Sequence, residues 1–209
     1  MSISLHDILK AIAAKPASLT FRLEVPAEST LEPLLPTDGP ALHEFYEKLS
    51  SSSKKFYSVV DPSIAYVHCA AIAKYDKLRL VLREPAGDSI IAIVEFSFDL
   101  TPGDLERYAG YGLELDPPTV CRWGLCVTDQ WHGLGMADGL FAASIEIARR
   151  FGRSRIILWG GVRDSNARAV RFYRRNGFAE VGRFRDNDSI GCIDMWWSGM
   201  QPNKIEVII

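Results

Sequence analysis

The 209-residue sequence predicts a mixed α/β (α+β) protein in which helices pack on a central sheet. Three observations lead to this prediction. Apolar residues make up 47% of the chain and charged residues 24%, so the chain can bury a substantial core. Short β-rich runs are interspersed with amphipathic helical segments, as expected for a sheet covered by helices. A glycine-bearing turn also joins a strand to a long helix in the second half of the chain.

The near-neutral charge of the chain limits the classes of partner that we expect. Its 24 Lys and Arg residues are balanced by 26 Asp and Glu residues, for a formal net charge of −2. A nucleic-acid binder is expected to present a strongly basic face, so we expect no nucleic-acid partner. Arginines do gather in two groups, which are either solvated helix faces or a source of attraction for an anionic ligand: Arg149, Arg150, Arg153 and Arg155, then Arg163, Arg168, Arg171, Arg174 and Arg175.

The cysteines and the N-terminus indicate a reduced, cytoplasmic protein. The first residues lack the basic start and continuous apolar run of a signal peptide. No apolar window is long enough to span a bilayer, so we expect no membrane partner. The cysteines show neither a C-x-x-C pair nor metal-ligand spacing, so we also expect no metal site: Cys69, Cys121, Cys126 and Cys192.

The elements of the first half follow from short apolar patterns. Helical periodicity predicts helices over residues 1–15 and 62–74. Thr37 or Asp38 can cap a further helix, which the serines at 50–53 break. Residues 101–118, rich in Gly, Pro and acids, predict a loop with one helical turn. Alternating or continuous apolar runs predict strands, the last two forming a hairpin: residues 21–25, 30–35, 78–83 and 89–100.

The second half is more regular. A long helix is predicted over residues 135–151 and ends at Gly152, and a shorter one over residues 166–176 ends at Gly177. Strands are predicted around these helices, with a final pair joined by a turn at Asp186-Asn187-Asp188: residues 120–127, 155–162, 178–184 and 190–197.

The turn that precedes the long helix has the composition of an anion site. Glycines allow a ligand to approach the backbone, and the first N–H groups of a helix lack internal partners. Together with the helix dipole, these groups attract phosphate oxygens. A nucleoside-triphosphate loop is excluded because no Lys-Ser/Thr pair follows the glycines, and a dinucleotide fingerprint is disfavoured by the late position of the motif. The segment reads Leu125-Cys126-Val127-Thr128-Asp129-Gln130-Trp131-His132-Gly133-Leu134-Gly135-Met136-Ala137.

This segment resembles the phosphate motif of the GNAT acetyltransferase superfamily, Arg/Gln-x-x-Gly-x-Gly/Ala. We place the motif on His132-Gly133-Leu134-Gly135-Met136-Ala137, because Leu140 and Phe141 then match the apolar helix residues of the family. The alternative register, residues 130–135, fits the pattern literally. In the preferred register His132 departs from Arg or Gln. A second segment, residues 166–178, resembles the family pattern Asn-x-x-Ala-x-x-φ-Tyr-x-x-x-Gly-Phe throughout.

The resemblance implies a fold, a co-substrate and a cofactor site. The fold is a mixed, mostly antiparallel twisted sheet of about seven strands with helices on both faces. We expect one domain over residues 1–209, with residues 1–28 as an N-terminal extension. The co-substrate is acetyl-CoA. The implied cofactor-binding residues are Leu125, Cys126, Val127, His132, Gly133, Leu134, Gly135, Met136, Ala137, Asn166 and Tyr173.

The resemblance also implies catalytic roles. The Leu125 N–H is expected to polarise the thioester carbonyl, and Tyr173 to protonate the departing thiolate. Asn166 matches a residue that binds the pantetheine arm, although it can also cap a helix. The general base is not readable, because the family's usual strand glutamate falls on Cys121. The residues that we consider as substitutes for this base are Glu95 and Glu114, then Asp116 and His68. Four tryptophans are candidates either for an acceptor groove or for the core: Trp123, Trp159, Trp196 and Trp197.

Two functions of different classes remain open from the sequence. The first is an N-acetyltransferase that acetylates a primary amine of a small molecule or peptide by direct attack in a ternary complex. The second is a non-catalytic acyl-CoA-binding regulatory module, which the missing strand carboxylate and His132 keep possible. The apolar residues 205–209 suggest a homodimer contact. The acceptor itself cannot be named from this sequence.

Overall fold

A computed structural model of the chain describes residues 5–23, 29–58, 61–70, 77–84 and 87–199. Within these residues the helices are α1 (Leu5–Ala14), α2 (Gly39–Lys48), α3 (Ser51–Tyr57), α4 (Ile64–Ala70), α5 (Pro102–Gly110), α6 (Met136–Arg150) and α7 (Ala167–Arg175). The strands are β1 (Phe21–Leu23), β2 (Ser29–Pro33), β3 (Lys77–Arg83), β4 (Ile90–Ser97), β5 (Val120–Val127), β6 (Arg155–Leu158), β7 (Val162–Arg163), β8 (Ala179–Arg185) and β9 (Gly191–Trp197).

The strands form one mixed sheet, as predicted. Its hydrogen-bonded order is β1-β2-β3-β4-β5-β6-β9-β7, with β8 paired to β9. β5 and β6 are parallel, whereas β2 pairs antiparallel with β1 and β3, and β9 with β6, β7 and β8. The described sheet has nine strands rather than about seven. One reason is that Gly160 and Gly161, both with φ near +70°, divide the predicted strand 155–162 into β6 and β7.

The chain divides into two compact units. The first unit takes the described residues up to 95 together with residues 125–144. Its core lies between strands β3 and β4 and helices α2 and α4. The apolar face of each helix packs against the sheet. Members of this core are Leu34, Leu42, Phe45, Tyr46, Leu49, Ala65, Cys69, Val81, Ile90, Ile93 and Cys126. β1 extends the edge of this part of the sheet through the pair Phe21↔Leu31.

The second unit takes residues 96–124 and the described residues from 145 onward. One core cluster gathers Tyr108, Leu115, Val120 and Ile157. Trp123 is fully buried and stacks with Phe178, with 6.3 Å between the ring centroids. β5 belongs to both units, because residues 120–124 lie in the second and residues 125–127 in the first.

Several local predictions were wrong. Residues 101–118 are not mainly loop, because α5 begins at a capping box in which Thr101 and Asp104 satisfy each other's backbone N–H groups. The serines at 50–53 end α2 but also start α3, since Ser50 Oγ accepts from the Ser53 N–H at 3.2 Å. The predicted strand 78–83 is β3, in which Val81 is buried as well as the leucines.

Other local predictions are confirmed with shifted ends or fall outside the described residues. The predicted helix 62–74 is α4 over the described part of that range, and residues 71–76 lie outside it. Residues 1–4, 24–28 and 200–209 also lie outside, so the predicted contact at 205–209 stays a prediction.

Among the described residues, no helix combines the length and apolar character needed to cross a bilayer. The same residues contain no group of three or more potential ligands arranged to hold a metal ion.

Candidate functional site

The glycine turn of the first unit links the end of β5 to the start of α6. Gly133 and Gly135 both have φ of +80°, a left-handed conformation that side chains with a Cβ adopt at a cost. A Cβ built on Gly133 meets nothing within 4 Å, so the backbone faces open space. α6 begins at Met136, which is 1% exposed and anchors the helix start. The turn therefore exposes the N–H groups at the helix N-terminus, as phosphate binding requires.

His132 braces this turn. Its Nε2 lies 2.8 Å from the carbonyl oxygen of Val127, the last residue of β5. Its Nδ1 lies 3.8 Å from a carboxylate oxygen of Asp129. The imidazole thus connects the strand end to the turn. The sequence identified His132 as a departure from the family motif but did not predict this contact.

Asp129 joins the turn to the start of α3. Its carboxylate accepts hydrogen bonds from the Ser50 N–H at 3.0 Å, the Ser50 hydroxyl at 2.8 Å and the Ser53 hydroxyl at 2.9 Å. Burial acts to raise the pKa of Asp129, but these hydrogen bonds outweigh burial and hold the pKa below its usual range. Asp129 is therefore a fixed, ionised group. The residues lie 76 to 79 positions apart in sequence, so no local pattern could reveal this contact.

The proposed pantetheine-binding strand continues beyond its parallel neighbour. The β5–β6 ladder runs from Val120↔Arg155 to Trp123↔Leu158 and is closed by the Trp159 N–H donating to the Trp123 carbonyl at 2.9 Å. β5 itself continues to Val127. Leu125 is half-buried, whereas Cys126 and Val127 are buried.

The motif of residues 166–178 forms α7 of the second unit. Asn166 is its N-cap, and its Oδ1 accepts from the Ala169 N–H at 3.2 Å. Tyr173 is half-buried between rings, 5.2 Å from Phe178 and 6.2 Å from Trp123 between centroids. Trp123 lies two positions before Leu125 on β5. α7 thus packs on the part of β5 that belongs to the second unit.

Glu95 lies in a buried ionic contact on β4. Its Oε1 accepts from Arg79 Nε at 2.5 Å, and its Oε2 accepts from the Tyr57 hydroxyl. The Arg79 and Glu95 side chains are 8% and 12% exposed. Burial, followed by the negative charge of Glu95, raises the pKa of Tyr57 well above its ordinary value. Tyr57 is therefore a stable proton donor to Glu95.

A second hydrogen-bonded pair, Tyr46 and His68, lies beside this contact. The Tyr46 hydroxyl is 3.0 Å from His68 Nδ1, and the Tyr46 ring packs 6.4 Å from that of Tyr57. Burial and the neighbouring Arg79 charge lower the pKa of His68 to about 4. His68 is accordingly neutral at pH 7. The first unit thus brings the predicted candidates Glu95 and His68 into one cluster and adds three residues that the sequence did not indicate.

The other candidates have different surroundings. Glu114 and Asp116 are exposed in the segment between α5 and β5 of the second unit. Cys121 is fully buried, and burial raises its thiol pKa to about 12. The tryptophans considered for an acceptor groove are core residues or are covered by guanidinium groups: Trp123 and Trp197 are buried, Trp159 lies under Arg122 at 4.8 Å, and Trp196 lies under Arg155 at 4.2 Å.

A strand end, a left-handed glycine turn and an open helix N-terminus form the arrangement that anion-binding sites commonly use. Comparison with known families identifies the class more closely. Residues 42–178 match the model described as the acetyltransferase (GNAT) family, and the chain belongs to this family. It is therefore an acyltransferase, with acetyl-CoA as co-substrate. The family and fold class predicted from the two motifs are confirmed.

Solved structures agree with this fold. The GNAT domain of S. lividans PAT has a TM-score of 0.65 at 19% identity, covering 87% of this chain and 98% of its own. The ribosomal-protein-S5-alanine acetyltransferase from Vibrio fischeri has a TM-score of 0.67 at 12% identity, covering 88% and 99%. The aminoglycoside acetyltransferase AAC(6')-Ib in complex with coenzyme A has a TM-score of 0.64 at 18% identity, covering 81% and 94%. No curated protein matches the sequence.

Proposed function

We propose that the protein is an N-acetyltransferase that transfers the acetyl group of acetyl-CoA to a primary amine of a small molecule or peptide. The attack is direct and takes place in a ternary complex. The observation that carries the proposal is the left-handed turn at Gly133 and Gly135, which opens the N-terminus of α6 toward a phosphate-bearing ligand.

The residues of the turn fit the diphosphate of CoA. A Cβ at Gly133 would project into the open space that a ligand needs. The backbone N–H groups of residues 133–137 hold the phosphate oxygens, while the side chains of Leu134, Met136 and Ala137 carry no charge. Because His132 already contacts the Val127 carbonyl, its role is to shape the turn.

The strand end and α7 bind the remaining length of the co-substrate. Leu125, Cys126 and Val127 offer a backbone edge to the amide groups of the pantetheine arm. The Val127 carbonyl can accept from the ligand as well as from His132, because a carbonyl oxygen has two lone pairs. Asn166 uses its Oδ1 to cap α7. Its amide NH₂ group is the donor that serves the pantetheine arm.

The transfer needs an oxyanion donor and an acid. The neutral amine attacks the thioester carbonyl carbon, and the carbonyl oxygen accepts a hydrogen bond from the Leu125 N–H. A donor of this kind contributes about 3–4 kcal/mol to lowering a barrier. The C–S bond then breaks, the new C–N bond remains, and the thiolate takes a proton from Tyr173. The acetylated nitrogen loses its excess proton to solvent, and a solvent proton restores the Tyr173 hydroxyl. The ring contacts of Tyr173 with Trp123 and Phe178 fix its direction.

Glu95 is the better of the two proposed bases. Glu114 is exposed, whereas Glu95 is half-buried and accepts from Tyr57, which packs against the core cluster that contains Cys126, next to Leu125 in sequence. Both oxygens of Glu95 are hydrogen-bonded, so the proton travels in two steps. The ammonium form of the acceptor gives a proton to the Tyr57 oxygen, and Tyr57 gives its own hydroxyl proton to Glu95.

The acceptor is proposed at the level of a primary amine. The similar structures include an aminoglycoside acetyltransferase and a ribosomal-protein acetyltransferase, which supports both small-molecule and peptide amines as candidates. A homodimer and a cytoplasmic location remain parts of the proposal. The location is supported by four cysteines that are all free thiols and all buried.

The experiment that tests the donor is a thermal shift with acetyl-CoA, CoA, ATP and NAD. A ligand at a hundred times its dissociation constant adds about 2.7 kcal/mol of stability. We expect acetyl-CoA and CoA to raise the melting temperature selectively, and Gly133→Ala to reduce this shift. Gly112→Ala is the matched control, since Gly112 has φ of +76° and also has open space around its Cβ. A folded wild-type protein without a shift would contradict the proposal.

Turnover distinguishes the enzyme from the non-catalytic module. We expect free thiol release from acetyl-CoA when a panel of amines is added, with one acceptor class clearly preferred. A regulatory module would bind acetyl-CoA in the thermal shift and release no thiol above the rate without amine.

A further inference from the structure

Helix α3 is fastened at both of its ends to groups of the candidate site. At its start, Ser50 and Ser53 donate three hydrogen bonds to the carboxylate of Asp129 in the glycine turn. At its end, Tyr57 donates to Glu95. The seven residues of α3 therefore connect the glycine turn, the proposed phosphate site, to Glu95, the proposed base.

We propose that Asp129 is a positioning residue that couples co-substrate binding at the glycine turn to the placement of Tyr57. The inference rests on the proposed acetyl transfer at this site. Asp129 does not touch the reacting atoms. It acts through α3: when the turn is ordered by its ligand, the carboxylate holds the N-terminus of α3, and α3 holds the Tyr57 hydroxyl against Glu95.

The length of α3 makes it dependent on such fastening. Isolated helices shorter than about 12–15 residues are marginal in water, so a seven-residue helix takes its order from its contacts. Within α3, Ser53 is only 7% exposed, whereas Ser51, Ser52 and Lys55 are exposed to solvent. The Asp129 contact is charge-assisted, and such hydrogen bonds are roughly twice as strong as neutral ones. Loss of this contact therefore weakens the order of the whole helix.

The turn itself is rigid enough to transmit a change. The Thr128 N–H donates to the Ile91 carbonyl at 2.9 Å, which ties the end of β5 to β4. The Trp131 N–H donates to the Thr128 carbonyl at 3.0 Å, and the His132 N–H donates to the Asp129 carbonyl at 3.2 Å. Asp129 is thus part of a short 3-10 turn, and a shift of the glycine turn moves its carboxylate.

The matched variants are Asp129→Asn and Asp61→Asn. Asp61 also accepts a hydrogen bond from a serine backbone, the Ser63 N–H at 2.8 Å, but lies before α4 and away from the glycine turn. We expect Asp129→Asn to lower kcat about tenfold while the acetyl-CoA dissociation constant changes less than about threefold, because one charge-assisted contact is lost. Asp61→Asn leaves both values unchanged. Asp129→Glu restores part of kcat.

Amide hydrogen exchange distinguishes coupling from a purely structural role of Asp129, because a structural cap would not make the protection of α3 depend on CoA. In the wild type, CoA should increase the protection of amides in residues 51–57. In Asp129→Asn this increase disappears, although CoA still protects residues 133–137. If Asp129→Asn does not fold, Ser53→Ala removes one of the three hydrogen bonds and should show a smaller change of the same kind.

Three results would overturn the inference. One is wild-type kcat together with wild-type protection of α3 in Asp129→Asn. Another is a loss of CoA affinity in proportion to kcat, which would make Asp129 part of the co-substrate site. The third is a wild-type protein that binds no CoA, and this result alone also removes the proposed function.

Discussion

Each of the two units contains a buried ionic network, and the two networks differ in the side chains that build them. In the first unit, Glu95 accepts hydrogen bonds from Arg79 and from the Tyr57 hydroxyl, and the pair Tyr46 and His68 lies beside them. In the second unit, two arginines and two aspartates form the network: Arg107, Arg122, Asp104 and Asp194. Arg107 lies over Phe184 at 4.3 Å, and Arg122 lies over Trp159 at 4.8 Å.

The difference separates a network suited to chemistry from one suited to structure. The network of the second unit is built on guanidinium groups, which stay protonated in proteins, and the Tyr111 hydroxyl donates to Asp194, which Arg107 also holds. It connects α5 to β9, since Arg107 bonds both Asp104 and Asp194. The network of the first unit includes phenols and an imidazole, which donate and accept protons. We therefore expect mutations in the network around Asp194 to act on stability and mutations in the network around Glu95 to act on turnover.

The largest effect is expected for Asp194→Ala. Asp194 is fully buried and accepts from Arg107 Nε at 2.9 Å and from the Tyr111 hydroxyl at 3.1 Å. The Asp194→Ala substitution leaves the Arg107 guanidinium with Asp104 as its remaining carboxylate and removes the acceptor of the Tyr111 hydroxyl, so the free energy of unfolding should fall by about 3 kcal/mol. Urea unfolding measures this loss. Glu180→Ala, which removes a surface partner of Arg174, is the control and should change stability by about 1 kcal/mol or less. Equal losses in the two variants would contradict the assignment.

Glu95→Gln should act mainly on turnover. The amide keeps the shape of the side chain but cannot receive the proton that Tyr57 passes on. General-base catalysis contributes about 10²–10⁴-fold, so we expect kcat to fall about a hundredfold at saturating acetyl-CoA. Glu32→Gln is the matched control, because Glu32 accepts from Arg83 Nε at 2.6 Å in the same unit. A Glu95→Gln variant that keeps wild-type turnover would remove Glu95 as the base.

The pH dependence of stability tests His68. Its pKa in the folded protein, about 4, lies below the value of about 6.5 expected when unfolded, so the unfolded chain binds the proton first as the pH falls. The contribution of neutral His68 is thus fully present above about pH 6.5 and is lost by about pH 4. Allowing for its partial exposure, we expect the free energy of unfolding to fall by about 1–2 kcal/mol more in the wild type than in His68→Gln between pH 7 and pH 4.5. Parallel urea titrations at the two pH values measure this, and equal decreases would refute it.

The parts of the molecule that sequence could predict are those encoded by neighbouring residues. The turn before α6 and the cap of α7 at Asn166 depend on local spacing, and both were placed from sequence. The surroundings of Glu95 depend on Arg79 and Tyr57, which are 16 and 38 positions away. Such pairings arise from strand register and helix packing, which composition and periodicity do not specify. The ring orientation of His132 likewise depends on the folded turn.

The smallest effect concerns α5, the helix that composition concealed. The pattern Thr101-Pro102-Gly103-Asp104 contains a capping box, in which Asp104 Oδ2 accepts from the Thr101 N–H at 3.0 Å and Thr101 Oγ1 accepts from the Asp104 N–H at 3.2 Å. Asp104 also binds Arg107, so the cap and the network share one carboxylate.

Thr101→Ala should therefore reduce the free energy of unfolding by about 1 kcal/mol, the usual value for loss of a helix cap. Thr101→Ser keeps the hydroxyl and should retain most of that stability. If the network alone orders α5, the two variants will unfold at the same urea concentration. A difference between them, with turnover unchanged in both, shows that α5 is stabilised by its cap and by the network together and that neither of these contacts acts on turnover.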